Sequence, residues 1–359
     1  MAILCFVLSS SQNRSAASPV RPPETVPRRT CVHLVAVPVC LIVLGLLCLC
    51  SIALGTKSIA PERVLELLWS PDSSEESGIV HQMRVPRTEF GLVVGAALGM
   101  AGALMQGLTR NPLADPGLLG VSAGASLGVV LTTGLLGITA PQGYVWFAFA
   151  GALAAIALVY ALGSAGKGGA TPAKLALAGA AVTALLQSLV NAVLLFDAAA
   201  LGDFRFWVVG SLTGQPAEVL VDVLPFIAVG AVLAAATAPA LNSLALGEGV
   251  ATALGRNVGL VRLRGAAAAT LLAGGAVALC GPIAFVGLVI PQLARLLTGP
   301  DHRWIMLYSA LLGPSLLLAA DIAGRLIARP DELHVGIVVT VIGAPFFIAL
   351  VRRRRLREL

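Results

Sequence analysis

Thr88-Glu-Phe-Gly-Leu-Val-Val-Gly-Ala-Ala-Leu-Gly-Met-Ala-Gly-Ala-Leu-Met-Gln-Gly-Leu108 contains one ionisable side chain, Glu89, in a run that is otherwise almost wholly apolar or small. The hydrocarbon core of a bilayer is about 30 Å thick and takes about 20 helical residues to cross. This run has that length. Gly91, Gly95, Gly99 and Gly102 recur at intervals of four, four and three. That spacing gathers them on one helix face, where missing side chains let another backbone approach closely. Arg84-Val-Pro-Arg87 bounds the run with charge. Whether it is one buried helix or one of many spans depends on the rest of the chain.

The rest repeats it. Similar runs lie near 32–54, 116–137, 143–163, 174–196, 218–239, 264–281, 283–299, 304–327 and 334–351, which makes about ten. Across 359 residues, 57% are hydrophobic and 12% charged, whereas soluble domains carry roughly 25% charged residues. Backbone polar groups in lipid must pair internally, so only helices or closed barrels can span. Barrel strands would alternate apolar and polar residues, and these runs are continuous. The expected fold is therefore all-α and integral to a membrane. The polar insert 55–87, with Pro61, Trp69 and the acidic stretch Asp72 to Glu76, reads as a small helical cap. Residues 1–31 read as a disordered tail, 32–351 as one transmembrane domain and 352–359 as a basic tail.

Charge placement excludes some functions and sets an orientation. The basic residues sit in short loops and at the C-terminus with no aromatic interleaving, so nucleic acid is not an expected partner. With ten spans, sixteen Lys and Arg fall on the side of both termini and seven on the other; Arg295 lies within a span. The positive-inside rule then makes both termini cytoplasmic. Cys31, Cys40, Cys48 and Cys50 cluster in and beside the first apolar run, with Cys5 and Cys280 elsewhere. No metal-ligand spacing or disulfide framework is readable, and no metal or cofactor is expected. At a constant offset of 179, Gly95 matches Gly274, Gly102 matches Gly281, Pro112 matches Pro291 and Gly120 matches Gly299. Five spans separate the two copies, and an odd number inverts the second, as in many transporters.

Met105-Gln-Gly-Leu-Thr-Arg-Asn-Pro-Leu-Ala-Asp-Pro-Gly-Leu-Leu-Gly120 breaks a helix with Pro112 and Pro116. Alone it is an ordinary loop. Five further segments follow it: Leu246-Gly-Glu-Gly-Val-Ala-Thr-Ala-Leu-Gly-Arg256, Gly281-Pro-Ile-Ala-Phe-Val-Gly-Leu-Val-Ile-Pro291 with Asp301-His-Arg303, Ala320-Asp-Ile-Ala-Gly-Arg325, Glu332-Leu-His-Val-Gly336, and Gly343-Ala-Pro-Phe-Phe347. Together, over about residues 40–355, they resemble the FecCD family of ABC importer permeases, which move iron–siderophores, haem and cobalamin. Gln292 departs from the family's usual histidine after the proline. The resemblance implies a cobalamin-permease-like bundle, two permease subunits on two ATPase subunits, and a substrate-binding protein docking from outside. The chain's own residues agree on the ATPase: Gly166-Lys167 is followed by Gly168, so the phosphate-cradling G-x-x-x-x-G-K-[ST] loop is not formed.

Three candidate sites follow. The stretch 240–262, with Gly247, Glu248, Ala251, Leu254, Gly255 and Arg256, is the longest connection on the side of the termini, and its glycines can flank a short helix. The resemblance implies ATPase coupling there; the plain alternative is a solvated amphipathic loop. Arg84 and Arg87 lie just outside the spans on the other side, and Arg325 ends the run 304–327 on that same side. The resemblance implies that they pair with acidic residues of the binding protein. Snorkelling, or an Asp321–Arg325 pair at i,i+4, are the alternatives. Thr183, Gln187 and Asn191 are spaced four apart on one helix face. They either bond to neighbouring helices or line the substrate path that the resemblance places there.

Two other classes were weighed. Gly120-Val-Ser122-Ala-Gly124 matches the nucleophile-elbow pattern, but His33, His81, His302 and His334 all lie near span ends. A secondary transporter would need intramembrane acids, and Asp321 is the one good candidate. The sequence therefore reads as the permease subunit of an ATP-driven importer, not an enzyme, with ferric siderophore as cargo and haem or cobalamin as the alternatives.

Overall fold

The structure is a computed structural model that describes residues 28–55, 57, 59–165 and 171–352. Most of the tail expected at 1–31, the Gly166–Gly168 stretch and residues 353–359 lie outside the described residues. The chain divides into two compact units, Met1–Ala36 and Val37–Leu359. Of the first, only the helical backbone from Arg28 onwards is described.

The described residues form helices joined by turns, with no strand among them. In order they are α1 (Arg28–Ala53), α2 (Pro61–Trp69), α3 (Glu75–Gly78), a π-helical turn (Ile79–Arg84), α4 (Val85–Thr109), a 3-10 turn (Pro116–Leu119), α5 (Val121–Leu135), α6 (Pro141–Ser164), α7 (Pro172–Phe196), α8 (Ala198–Trp207), α9 (Ala217–Ala245), α10 (Glu248–Ala253), α11 (Val258–Cys280), α12 (Val286–Thr298), α13 (His302–Ile327) and α14 (Val335–Arg352). Proline occupies the first turn of α2, α4, α6 and α7, where its missing N–H costs nothing. Asn257 and Asp301 cap α11 and α13 by accepting the N–H of Leu260 and Arg303.

Among the described residues, seven helices are long and apolar enough to cross a membrane, namely the α1 stretch from Val35, Glu75–Thr109, α6, the α7 stretch from Ala173, α9, α11 and α13. The other three expected runs, 116–137, 283–299 and 334–351, contain the shorter apolar helices α5, α12 and α14. Left-handed residues explain two of the shortenings. Gly120 (φ 78°) separates the 3-10 turn from α5, while Gly281 (φ 72°) and Phe285 (φ 67°) unwind the chain before α12. Irregular backbone at membrane depth is tolerated only inside protein. Here the Ser211 N–H donates to the Cys280 carbonyl at 2.9 Å, so one unwound stretch covers another.

Among the spans, α4 is the most enclosed, with 83% of its apolar stretch buried, whereas α7 has only 17% buried. The glycine face accounts for this. A Cβ on Gly95 would lie 2.6 Å from Pro314 backbone, on Gly99 2.4 Å from the Ser309 carbonyl oxygen, and on Gly102 1.9 Å from that of Gly287. Thus α4 packs backbone to backbone against α12 and α13. The internal repeat has structural counterparts: the offset relates α4 to α11 and α5 to α13, α4 packs on α13 as α11 packs on α5, and Gly120 and Gly299 are both positive-φ glycines at helix ends.

Candidate functional site

The cap end of the bundle joins α1, α4 and α13 through three arginines. The Arg84 guanidinium, at the end of the π-helical turn, donates through Nη1 to the carbonyls of Ile52 (2.7 Å) and Ala53 (2.9 Å) and through Nη2 to that of Lys57. Arg325 donates through Nη1 to the carbonyls of Ser51 (2.8 Å) and Leu54 (2.9 Å). A helix C-terminus leaves its last carbonyls without donors and carries partial negative charge. Two guanidiniums therefore close the end of α1. Arg87 holds Asp321 through Nε and Nη2 and Glu332 through Nη1 at 2.6 Å. Arg325 Nη2 reaches Asp321 Oδ2 at 3.0 Å.

This corrects the placement expected from sequence. Arg84, Arg87 and Arg325 are not exposed; their exposures are 6%, 9% and 2%, and their donors serve this chain. The intrahelical Asp321–Arg325 pair, considered as an alternative, is present, and Asp321 is shared with Arg87 across two helices. The three arginines nonetheless line one cavity of about 360 Å³ with Lys57, Thr213 and Glu332.

At the opposite end, Gly247 (φ 108°) and Gly255 (φ 75°) bracket α10, the short helix expected between them. Ala251 is buried and packs α10 down, whereas Leu246, Val250 and Leu254 are exposed, Leu254 by 61%. Arg256 is exposed and its backbone N–H donates to the Ala251 carbonyl at 2.9 Å. The Glu248 carboxylate accepts from Arg262 Nη2 at 2.5 Å and lies 3.6 Å from Arg110 Nη2. One acid thus ties α10 to α11 and to the turn after α4. No local pattern signals this link, since its partners are distant in sequence.

On α7 the polar stripe divides. Thr183 is half-buried beside Gly120. Gln187 and Asn191 are exposed, and the Gln187 amide donates to Asn191 Oδ1 at 3.3 Å. Sequence reasoning missed a second polar cluster. Gln292 Nε2 donates to Gln106 Oε1 (2.6 Å) and to the Pro112 carbonyl (3.0 Å), and Gln106 Nε2 donates to the Leu288 carbonyl (3.1 Å). The departure at Gln292 is therefore a satisfied amide joining α12, α4 and the loop between α4 and the 3-10 turn. A polar residue inside each of two apolar runs was the available signal.

A polytopic helical bundle, broken at membrane depth and carrying a short glycine-bracketed helix at one end, is the architecture of a membrane permease. The chain belongs to the FecCD transport family, whose pattern its residues 41–353 match. It is 46% identical over 320 residues to the ferric enterobactin transport system permease protein FepD of Escherichia coli, covering 89% of this chain and 96% of the relative. It is 41% identical to the probable siderophore transport permease YfiZ of Bacillus subtilis, covering 88% and 95%. It is 37% identical to the hemin transport permease HmuU of Yersinia pestis, covering 88% and 94%. Among solved structures, an inward-facing metal-chelate type ABC transporter superposes with a TM-score of 0.79 at 26% identity, covering 89% of this chain and 99% of that one.

Proposed function

We propose that this chain is the permease subunit of an ATP-driven importer of ferric siderophores. The observation that carries the cargo is the 46% identity to a ferric enterobactin permease, against 37% to a hemin permease. ATP hydrolysis belongs to a partner, two copies of which bind a permease pair, because this chain has no phosphate-cradling glycine–lysine loop. The two permease subunits are either identical or different chains. The end bearing α10 faces the cytoplasm with both termini, as the sixteen-to-seven distribution of Lys and Arg favours. Exposed Leu246, Val250 and Leu254 on and around α10 then offer a small apolar ridge to the ATPase, with Gly247, Glu248, Ala251, Gly255 and Arg256 setting its shape.

The cap end faces outward and receives the loaded binding protein. Its cavity is lined by Lys57, Arg84, Arg87 and Arg325 with Glu332; counting Asp321 and Glu75, which pair with three of these cations, four cations face three acids, a small positive surplus suited to an acidic side chain. Exposed Gln187 and Asn191 on the open face of α7, with Thr183 deeper on the same helix, line the path between the paired permeases. A polar stripe in lipid must face protein or water. The test is uptake by a strain lacking this gene and complemented with it, supplied with radiolabelled ferric catecholate, ferric hydroxamate, haem or cobalamin. Restored uptake of a ferric siderophore alone is the expected result. Restoration only by haem or cobalamin transfers the assignment to that cargo.

A further inference from the structure

The loop 110–119 has no role in the reading above, yet it stands between α10 and the middle of the bundle. It begins at Arg110, whose φ of 51° puts a non-glycine residue in the left-handed region. Such strain persists only where surrounding contacts over-determine it. The Arg110 guanidinium lies 3.6 Å from the Glu248 carboxylate at the head of α10, and Arg262 of α11 holds the same carboxylate at 2.5 Å. Beyond Arg110 the loop is bonded to itself. Asn111 Oδ1 accepts the Leu113 N–H at 3.0 Å and Asp115 Oδ1 accepts that of Gly117 at 2.7 Å. Pro112 and Pro116 fix φ between them. A loop locked in this way moves as one piece.

That piece bears on α12 at two points. The Pro112 carbonyl accepts from Gln292 Nε2 at 3.0 Å, and a Cβ on Gly287 would lie 3.1 Å from Pro116 Cδ and 3.2 Å from Asp115 Oδ2. The α12 backbone holds itself weakly. Phe285 (φ 67°) and Gly299 (φ 79°) interrupt the chain at its two ends, and Pro291 lacks the N–H that would bond the Gly287 carbonyl. Gln106 Nε2 lies 3.4 Å from that carbonyl and 3.1 Å from that of Leu288, and Gln106 Oε1 accepts from Gln292. Arg110 and Phe285 are the two described non-glycine residues with positive φ, and these bonds run between the segments they head. We propose that Arg110, Gln106 and Gln292 are positioning residues of the transport step. A displacement of α10 draws Arg110 through Glu248, the loop follows as a unit, and Gln292 shifts α12 between the interruptions at its ends. The proposal rests on α10 as the ATPase contact; the bonds that link α10 to α12 do not.

Hydrogen exchange on the full chain, purified in mild detergent, reads the link without ATPase or cargo. Arg110→Gln is expected to speed exchange about threefold in the loop and in α12, the scale that a half-exposed ion pair sets. Arg262→Gln, which cuts the pair to α11 alone, is expected to leave α12 at wild-type exchange. Unchanged exchange in α12 with Arg110→Gln, or an equal rise with Arg262→Gln, overturns the link. In proteoliposomes with the ATPase and the loaded binding protein, Gln292→Met keeps the side-chain length but loses the donor. Stimulation of hydrolysis is expected to fall about fivefold or more. Gln292→His restores an N–H donor and is expected to recover most of the response, whereas a packing role alone would favour Met over His. Wild-type stimulation in Gln292→Met, or no recovery in Gln292→His, overturns the positioning role. Every variant is compared as monodisperse protein on size exclusion. Failure of the importer reading appears separately, as a wild type whose hydrolysis ignores the binding protein while the exchange pattern stands.

Discussion

Arg87 on α4 clasps Asp321 on α13 with a two-pronged hydrogen bond, Nη2 to Oδ1 at 2.7 Å and Nε to Oδ2 at 3.0 Å. Both side chains are buried. Removing one partner of a buried ion pair typically costs about 3–5 kcal/mol, because the other charge is left stranded. Asp321→Ala takes the buried acid from two guanidiniums at once, leaving Arg87 only Glu332 and Arg325 only Ser51 and Leu54, while Arg87→Ala leaves Asp321 its bond to Arg325. Asp321→Ala is therefore expected to lower the thermal inactivation midpoint in detergent more than Arg87→Ala. Equal midpoints for the two variants would refute the shared-acid arrangement.

The glycine face of α4 makes a steric prediction. Gly102→Ala sets a methyl 1.9 Å from the Gly287 carbonyl oxygen, which is backbone and cannot rotate away. Overpacking costs about 1–3 kcal/mol even where side chains can shift, so the yield of folded protein is expected to collapse. Gly249→Ala meets nothing within 4 Å and is expected to express normally. Fluorescence-detected size exclusion of tagged variants separates these outcomes.

Gly255 tests the coupling helix. Its φ of 75° suits glycine, and among the described residues, its chain neighbours aside, no atom lies within 4 Å of an added Cβ. Gly255→Ala carries only left-handed strain of about 1–2 kcal/mol. Gly255→Trp carries the same strain with added bulk, so an effect well beyond that of Gly255→Ala reports a partner. The expected result in proteoliposomes is an inserted permease whose ATP hydrolysis no longer responds to the loaded binding protein. Unchanged hydrolysis and uptake would make this segment a mere connector and move attention to Arg110–Asp115.

The cap has a defined acid limit. Hydrogen bonds from the Ser74 hydroxyl and backbone N–H, with the Arg63 guanidinium adding to them, pull the Asp72 carboxyl down to about 2. A carboxyl depressed on folding stabilises the fold fully above its unfolded value, about 3.9. That contribution fades as pH falls through the folded value, about 2. The Asp72–Arg63–Ser74 corner is expected to persist at pH 3.5 and to open in Ser74→Ala at a higher pH than in wild type. Hydrogen exchange at the residue-74 amide, which donates to Asp72 in this corner, reads this across an acid titration. No difference between the two proteins would exclude the serine's role.

Orientation is open to direct measurement. Single cysteines in a cysteine-free background at Ser15, Gly168 and Leu359 are expected to label only from the cytoplasm, and one at Ser74 only from outside. Ser74 and Leu359 labelling from the same side would overturn the ten-span arrangement.

What could be read from the sequence divides along one line. Hydropathy and glycine spacing are local, so the spans, the packing face of α4 and the bracketing of α10 by Gly247 and Gly255 were all legible. The fate of a charge depends on partners that the fold supplies. Arg84 and Arg325 read as surface cations because the α1 carbonyls that bury them, at Ser51 to Leu54, leave no trace in the arginines' own neighbourhood. For the amide chain from Gln292 to Gln106, the two polar residues in apolar runs were visible, but which amide met which was not, because 186 residues separate them. Only for Asp321 and Arg325, four apart on one helix, could sequence offer the pairing.

The seam between Gly102 and Gly287 has a bearing on leakage. A void must offer about 10–15 Å³ to hold one water, and two backbones meeting where even a methyl would sit 1.9 Å from a carbonyl oxygen leave none. A proton needs a file of water or titratable groups to hop along. At the Gly102–Gly287 contact, therefore, α4 and α12 leave a proton no file of water to follow, and any leak would have to run elsewhere in the bundle.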